Sequence, residues 1–194
     1  MYDSTSLSSK RQGHFLPIFY LDSAHPRKYD EKNMTTHIAP EQVRQAMRLW
    51  TSGITIITAV HKNEKHGMTV SSFASISLDP PLLMVALQKT TRTSELVSRA
   101  QAFGATLLSE SQREISERFA GRSDDSQDRM EGIELDILST GAPLIKGGLA
   151  YFDCRLRQTV DAGTSTIFIG EVVAARRFEG KPLVYHDRRY TQIA

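Results

Sequence analysis

A chain of 194 residues, 40% apolar and 24% charged, has the length of one domain and the composition of a globular one. A formal net charge of +2 argues neither for nor against a nucleic-acid partner, but with no basic stripe and no arginine-rich run interleaved with aromatics that reading has little support and none is expected. The single cysteine, Cys154, leaves no intrachain disulfide and no CxxC motif, and no run reaches the roughly 18–20 apolar residues that span a bilayer, so a cytoplasmic, reduced protein without a membrane partner is expected.

Residues 1–36 are polar and sustain no period, and they are expected to be a disordered or loosely docked extension ahead of a domain over 37–194. Phe15–Leu21 resembles a weak signal-peptide core, but Pro17 interrupts it and no small-x-small site comes closely after it. Met34-Thr35-Thr36-His37 offers an alternative start. Pro40 opens a helix whose buried face is predicted as Val43, Ala46, Met47 and Trp50, with Gly53 as its stop. Ile54–Val60 is β-branched and predicts a strand. Across the polar turn Lys62–Lys65 it pairs as a hairpin with the strand that begins near His66.

The most distinctive stretch of the chain is His66–Leu87. Residues 68–78 predict one alternating strand, with Met68, Val70, Ala74, Ile76 and Leu78 on one side and Ser72 interrupting that row. The other side carries Thr69, Ser71, Phe73, Ser75 and Ser77. Such a hydroxyl row fits either the wetted face of an edge strand or a polar, planar or anionic ligand that the backbone approaches closely. Asp79-Pro80-Pro81 ends the strand, and Leu82–Leu87 predicts a second one, apolar and buried on both faces. Gln88 to Ser94 then combines a strand end, the cations Lys89 and Arg92, several hydroxyls and the start of a helix carrying Leu96, Val97 and Ala100. This fits a phosphate site and, equally, a solvated loop with a threonine cap.

Phe103–Leu108 predicts a strand, and Ser111-Gln112-Arg113-Glu114 a capping box for a short helix that buries Ile115 and Phe119 and ends at Gly121. Residues 122–132 are polar and acidic and predict a mobile surface loop. Strands are expected at Ile133–Leu138, Leu149–Val160, Thr166–Ala175, Pro182–His186 and Tyr190–Ile193, with turns at Gly147-Gly148 and Asp161-Ala162-Gly163. Gly170 inside a strand points to a bulge or a close backbone approach. Cys154 falls in the alternating run Ala150, Phe152, Cys154, Leu156 and reads as a core residue. The six histidines are scattered without metal-ligand spacing, and no GxSxG, GxGxxG or P-loop pattern occurs. The expected fold is mainly β with short helices: an antiparallel barrel of seven or eight strands with helical inserts.

Several segments, in order, resemble the flavin reductase-like family with its FMN-binding split barrel, and specifically the small reductase components of two-component flavin-dependent monooxygenases. They are Leu49–Thr55, Gly67–Pro80, Phe119-Ala120-Gly121, Pro143–Gly147, Ile167–Val172, and Pro182–Tyr185 with Arg188–Tyr190 after it. The resemblance covers roughly 40–193 and favours the ligand reading of the hydroxyl row. It implies a homodimeric, antiparallel split barrel that binds FMN or FAD, with NADH or NADPH as hydride donor and a separate oxygenase component as partner. Thr55, Thr69, Val70, Ser71 and Ser72 would lie along the ring and ribityl chain. Gln88, Lys89, Thr93 and Ser94 would hold the phosphate, and Arg122 would reach flavin or nicotinamide.

Hydride would pass from nicotinamide to flavin with no catalytic side chain and no metal required. The chain departs from the family at Gly163-Thr164-Ser165, where the pattern has Gly-Asp-His or Gly-Thr-His. Ser165 can neither stack nor carry charge, which questions nicotinamide use. Three further readings stand beside a flavin reductase: a flavin-binding storage or sensor protein without reductase activity, a split-barrel oxidoreductase with tightly bound FMN and its own substrate, and a small β-barrel interaction module.

Overall fold

The computed structural model of the chain describes residues 38–121 and 128–193. Helix α1 spans Pro40–Met47. After it come β1 (Ser52–Gly53), β2 (Thr55–His61), β3 (Glu64–Val70), β4 (Phe73–Leu78) and β5 (Pro81–Gln88). The chain continues with α2 (Arg92–Ala100), β6 (Ala102–Leu107), a 3-10 turn at Glu110–Gln112 and α3 (Arg113–Phe119). Strands β7 (Leu135–Ile137), β8 (Pro143–Ile145), β9 (Ala150–Ala162), β10 (Ser165–Arg177), β11 (Val184–His186) and β12 (Arg189–Thr191) complete it.

Seven strands form one antiparallel sheet in the order β3-β2-β6-β9-β10-β5-β4. Its two edge strands, β3 and β4, are consecutive in the chain and are joined by Ser71 and Ser72 alone. Three peptide units reach at most about 11 Å, so the sheet must curl until its edges meet at this corner. The hydrogen-bond ladder does not continue from β3 to β4, which leaves a barrel with a split in it.

Strand β2 is buried on both faces and divides two cores. Ile57 and Ala59 face the barrel interior, where they meet Val85, Leu87, Phe103, Cys154 and Phe168, with Leu96 and Val97 of α2 closing the packing. Ile56 faces the other way, into a cluster with Ile54, Leu108, Phe119, Met130, Ile145 and Leu183. Cys154 is fully buried, and that burial pushes its thiol up to about 12, consistent with a core role. Gly170 combines both expected features. The β9–β10 register shifts between Ile169 and Gly170, and a Cβ there would sit 2.6 Å from the Phe103 ring.

Several expectations are corrected. The expected single strand over 68–78 is two strands, because the chain turns the corner at Ser71-Ser72. The apolar side of α1 is not buried: Val43, Met47 and Trp50 are 50%, 56% and 67% exposed, since nothing among the described residues packs on them. The helix ends at Met47, and Gly53 lies in β1. Strand β5 buries Leu83, Val85 and Leu87 but only half-buries Leu82, Met84 and Ala86, because its outward face has no covering layer among the described residues.

The turn before α3 begins two residues early, with the Gln112 side chain accepting from the Ser109 N–H at 3.1 Å. Residues 122–127 lie outside the described residues, as does the expected 1–36 extension. Of the polar loop predicted over 122–132, Arg129 and Met130 are buried rather than solvated. Strand β9 runs on to Ala162, which moves the turn to Gly163-Thr164. The small sheets β1-β11-β12 and β7-β8 raise the strand number above the expected seven or eight.

Candidate functional site

On the β3 edge of the barrel, α2 and α3 converge over a cleft of about 300 Å³. Strand β3 contributes His66, Met68 and Thr69, the end of β5 contributes Gln88, and α2 contributes Arg92 and Thr93. Phe119, Gly121 and Arg129 form the opposite wall. Gly121 has φ +75°, which lets the chain leave α3 sharply at the cleft.

Thr91 caps α2: its hydroxyl donates to the Gln88 carbonyl at 2.8 Å and accepts from the Ser94 N–H at 3.3 Å. The amides of Arg92 and Thr93, in the first turn, have no acceptor inside the helix. The Thr93 hydroxyl lies 2.8 Å from His66 Nδ1, and both side chains are buried. The Thr69 hydroxyl donates to the Ser116 carbonyl at 2.7 Å, so toward the cleft it can only accept. Arg129 is 8% exposed and donates to the carbonyls of Gly67 at 3.4 Å and Phe119 at 3.2 Å. Among the described residues, two guanidinium groups therefore line this cleft and no carboxylate does. Such a lining favours an anionic group, and the first-turn amides of α2 are donors of the same sense. Phe119 adds an aromatic wall.

The expected site residues divide among several places. Thr69, Gln88 and Thr93 meet in this cleft. Ser94 is buried behind the cap of α2. The ammonium of Lys89 lies 2.7 Å from Asp161, whose carboxyl it holds below the usual range, and so ties the start of α2 to the β9–β10 turn. Thr55 and Val70 are buried cross-strand partners. Ser72 donates to the Ala86 carbonyl at 2.7 Å, which fastens the corner to β5. Ser71 lines a different cleft of about 270 Å³, with Arg44, Trp50, Tyr185 and Arg188. Ser165 pairs with Gln88 across β10–β5 and so stands beside a cleft residue. Arg122 lies outside the described residues.

The sequence reading does not give His66, Phe119 or Arg129 as site residues, and it counts Arg92 among the cations of a stretch that fits a phosphate site or a solvated loop. Phe119 is visible in sequence as a core residue and as the first residue of the Phe119-Ala120-Gly121 segment. Arg129 sits in a polar run that reads as solvated, and its one signal is its neighbour Met130, which the adjoining core buries.

The family model described as "Flavin reductase like domain" matches residues 47–194. The chain is 38% identical over 165 residues to the NADH-dependent flavin reductase StyB of Pseudomonas fluorescens, covering 82% of this chain and 94% of that one. It is 40% identical over 144 residues to the FMN reductase (NADH) SmoA of Agrobacterium fabrum, covering 73% and 79%. Among solved structures it resembles the styrene monooxygenase flavin reductase of Pseudomonas putida S12, with TM-score 0.70 and 37% identity over 78% of this chain and 96% of the other.

Proposed function

The chain belongs to the flavin reductase like family, and from that premise we propose that the cleft between β3, α2 and α3 receives the phosphate and ribityl end of a flavin. The chain is an NADH-dependent flavin oxidoreductase whose reduced FMN or FAD supplies a partner monooxygenase. The observation that carries the site is its lining: among the described residues it holds Arg92 and Arg129 and no carboxylate.

Bound flavin accepts hydride from the nicotinamide and carries the redox chemistry. The chain's own groups bind and orient. Arg129, fixed by two backbone carbonyls, and Arg92 neutralise phosphate charge, and the Arg92 and Thr93 amides donate to its oxygens. Thr69 accepts from the ligand's hydroxyl or N–H groups, and Gln88 can do either. Lys89, Ser71, Ser72, Thr55, Val70, Ser94 and Arg122 remain further flavin contacts of this reading. Lys89 would have to leave Asp161 to reach a phosphate. The decisive assay monitors NADH and NADPH oxidation at 340 nm with and without added FMN or FAD. Turnover that scales with added flavin is expected. Flavin binding without turnover would move the reading to a storage or sensor protein.

The same reading includes a homodimer in the cytoplasm, where NADH is supplied. Its support is the wet apolar surface of Val43, Met47 and Trp50 on α1, and of Ile76 and the 88%-exposed Leu78 on β4. Light scattering is expected to give twice the 21.7 kDa chain mass. A monomer at micromolar concentration would overturn this part. Among the described residues no helix is long and apolar enough to cross a membrane.

A further inference from the structure

The cleft wall made by α3 is held from behind. Thr69 can only accept toward the cleft because its hydroxyl proton is committed to the Ser116 carbonyl at 2.7 Å. Past that carbonyl the helix tightens, and the Ala120 N–H bonds three residues back, to the Glu117 carbonyl at 3.3 Å. The direction of the Thr69 hydroxyl therefore depends on where the end of α3 is held. A helix of seven residues has little stability of its own, so packing must hold it. Ser116 is fully buried, and its hydroxyl lies 2.9 Å from that of Tyr190 on β12. Tyr190 also carries the Arg113 guanidinium, from the start of α3, over its ring at 5.1 Å from the centroid. One side chain thus meets both the start and the middle of the helix.

Tyr190 is itself fixed. Its ring meets Tyr185 of β11 edge-on at a centroid distance of 5.3 Å, and both rings pack on the core that contains Phe119. Strand β11 in turn pairs with β1 at Ser52 and Gly53, and the Ile54 N–H bonds the Leu183 carbonyl at 3.1 Å. Tyr190 does not line the cleft. Contacts nonetheless run from β11 through Tyr190, Ser116 and Thr69 to the cleft.

We propose that Tyr190 is a positioning residue for the flavin. Through Ser116 it sets the place of α3, and so aims the Thr69 lone pairs at a hydroxyl of the ribityl chain. The inference rests on the flavin reading of the cleft and adds to it a residue that touches no ligand. Tyr190→Phe removes the hydroxyl and keeps both ring contacts. Ser116→Ala removes the same bond from the other side, and if only one of the two variants is obtained folded, that one carries the test. Thr69→Val removes the hydroxyl that both are inferred to aim. Flavin fluorescence on the full chain gives Kd for FMN, and urea unfolding shows that each variant is folded.

Tyr190→Phe and Ser116→Ala are each expected to raise Kd for FMN about fivefold, the scale of one neutral hydrogen bond. In turnover, KM for FMN should rise with it while kcat at saturating flavin holds within about twofold, since the hydride step belongs to the cofactors. Added to Thr69→Val, either change should cost less than about twofold more, because its effect runs through that hydroxyl. Unchanged Kd in the folded variants would overturn the proposal. So would the same loss repeated on top of Thr69→Val, which would make Tyr190 a merely structural residue. Failure of the wild type to bind any flavin would instead overturn the reading of the cleft.

Discussion

Gly170 and Gly67 each let a phenylalanine ring close on a strand, one inside the barrel and one at its rim. At Gly170 an added Cβ would lie 2.6 Å from Phe103 Cε1 and 2.9 Å from Cys154 Cβ. Both of these neighbours are apolar, fully buried side chains. At Gly67 the same atom would lie 3.0 Å from Phe119 Cε1 and 3.0 Å from the Ile57 carbonyl. But Gly67 also presents its own carbonyl to Arg129, and Phe119 is both core and cleft wall. The interior glycine serves packing alone. The rim glycine serves packing and the placement of a charge, and substitutions separate the two roles.

The largest effect is expected inside. Gly170→Ala should cost about 2–3 kcal/mol of stability, because a close-packed interior cannot absorb a methyl group at that distance. Urea unfolding measures it, and flavin Kd per folded molecule should stay at the wild-type value. A shift in Kd as large as the stability loss would break the contrast.

Arg129→Met at the rim should do the reverse. It removes a charge-assisted donor to phosphate, worth about 1.5–3 kcal/mol, so flavin Kd should rise tenfold or more by fluorescence titration. Gly67→Ala sits between these. The added methyl crowds Phe119 and the Ile57 carbonyl, with an expected cost of about 1 kcal/mol and a several-fold rise in flavin Kd as the Arg129 anchor shifts. Gly67→Ala with stability lost and Kd unchanged would make the rim glycine equivalent to the interior one.

The same contrast explains what could be read from the chain. The interior was legible because packing leaves a period: Phe152, Cys154 and Leu156 of β9, and the strand glycine at 170, carry the barrel in their spacing. Thr69, Gln88 and Thr93, which meet in the cleft, were singled out by the family resemblance, since the hydroxyl row and the helix start alone fit a wetted strand face and a solvated loop equally well. Arg129 was not, because local polarity predicts solvation, whereas here two backbone carbonyls and a neighbouring core hold the side chain in. The corner at Ser71-Ser72 left one trace, the hydroxyl of Ser72 where the row called for an apolar side chain. Helix α1 shows the converse limit. The period of Val43, Met47 and Trp50 states that the face needs cover and is silent on what covers it.

The smallest effect is expected at Ser165, at the start of β10. Its Cα partners are Gln88 on β5 and Ala162 on β9, so it stands at a strand end beside a residue of the proposed flavin cleft. A serine hydroxyl in that place offers one short hydrogen bond, whereas the imidazole of the family pattern adds a ring face and a titratable nitrogen. If nicotinamide approaches the flavin from this side, Ser165→His should lower KM for NADH a few-fold. Flavin Kd should stay unchanged, since Arg92 and Arg129, the proposed phosphate donors, are not among the strand partners of Ser165. Any gain should diminish as pH falls below about 6.5 and the ring takes up a proton, if the neutral ring is the form that stacks. An unchanged or raised KM would mean that nicotinamide binding does not depend on this position, and that the chain's departure from the family pattern leaves its choice of hydride donor untouched.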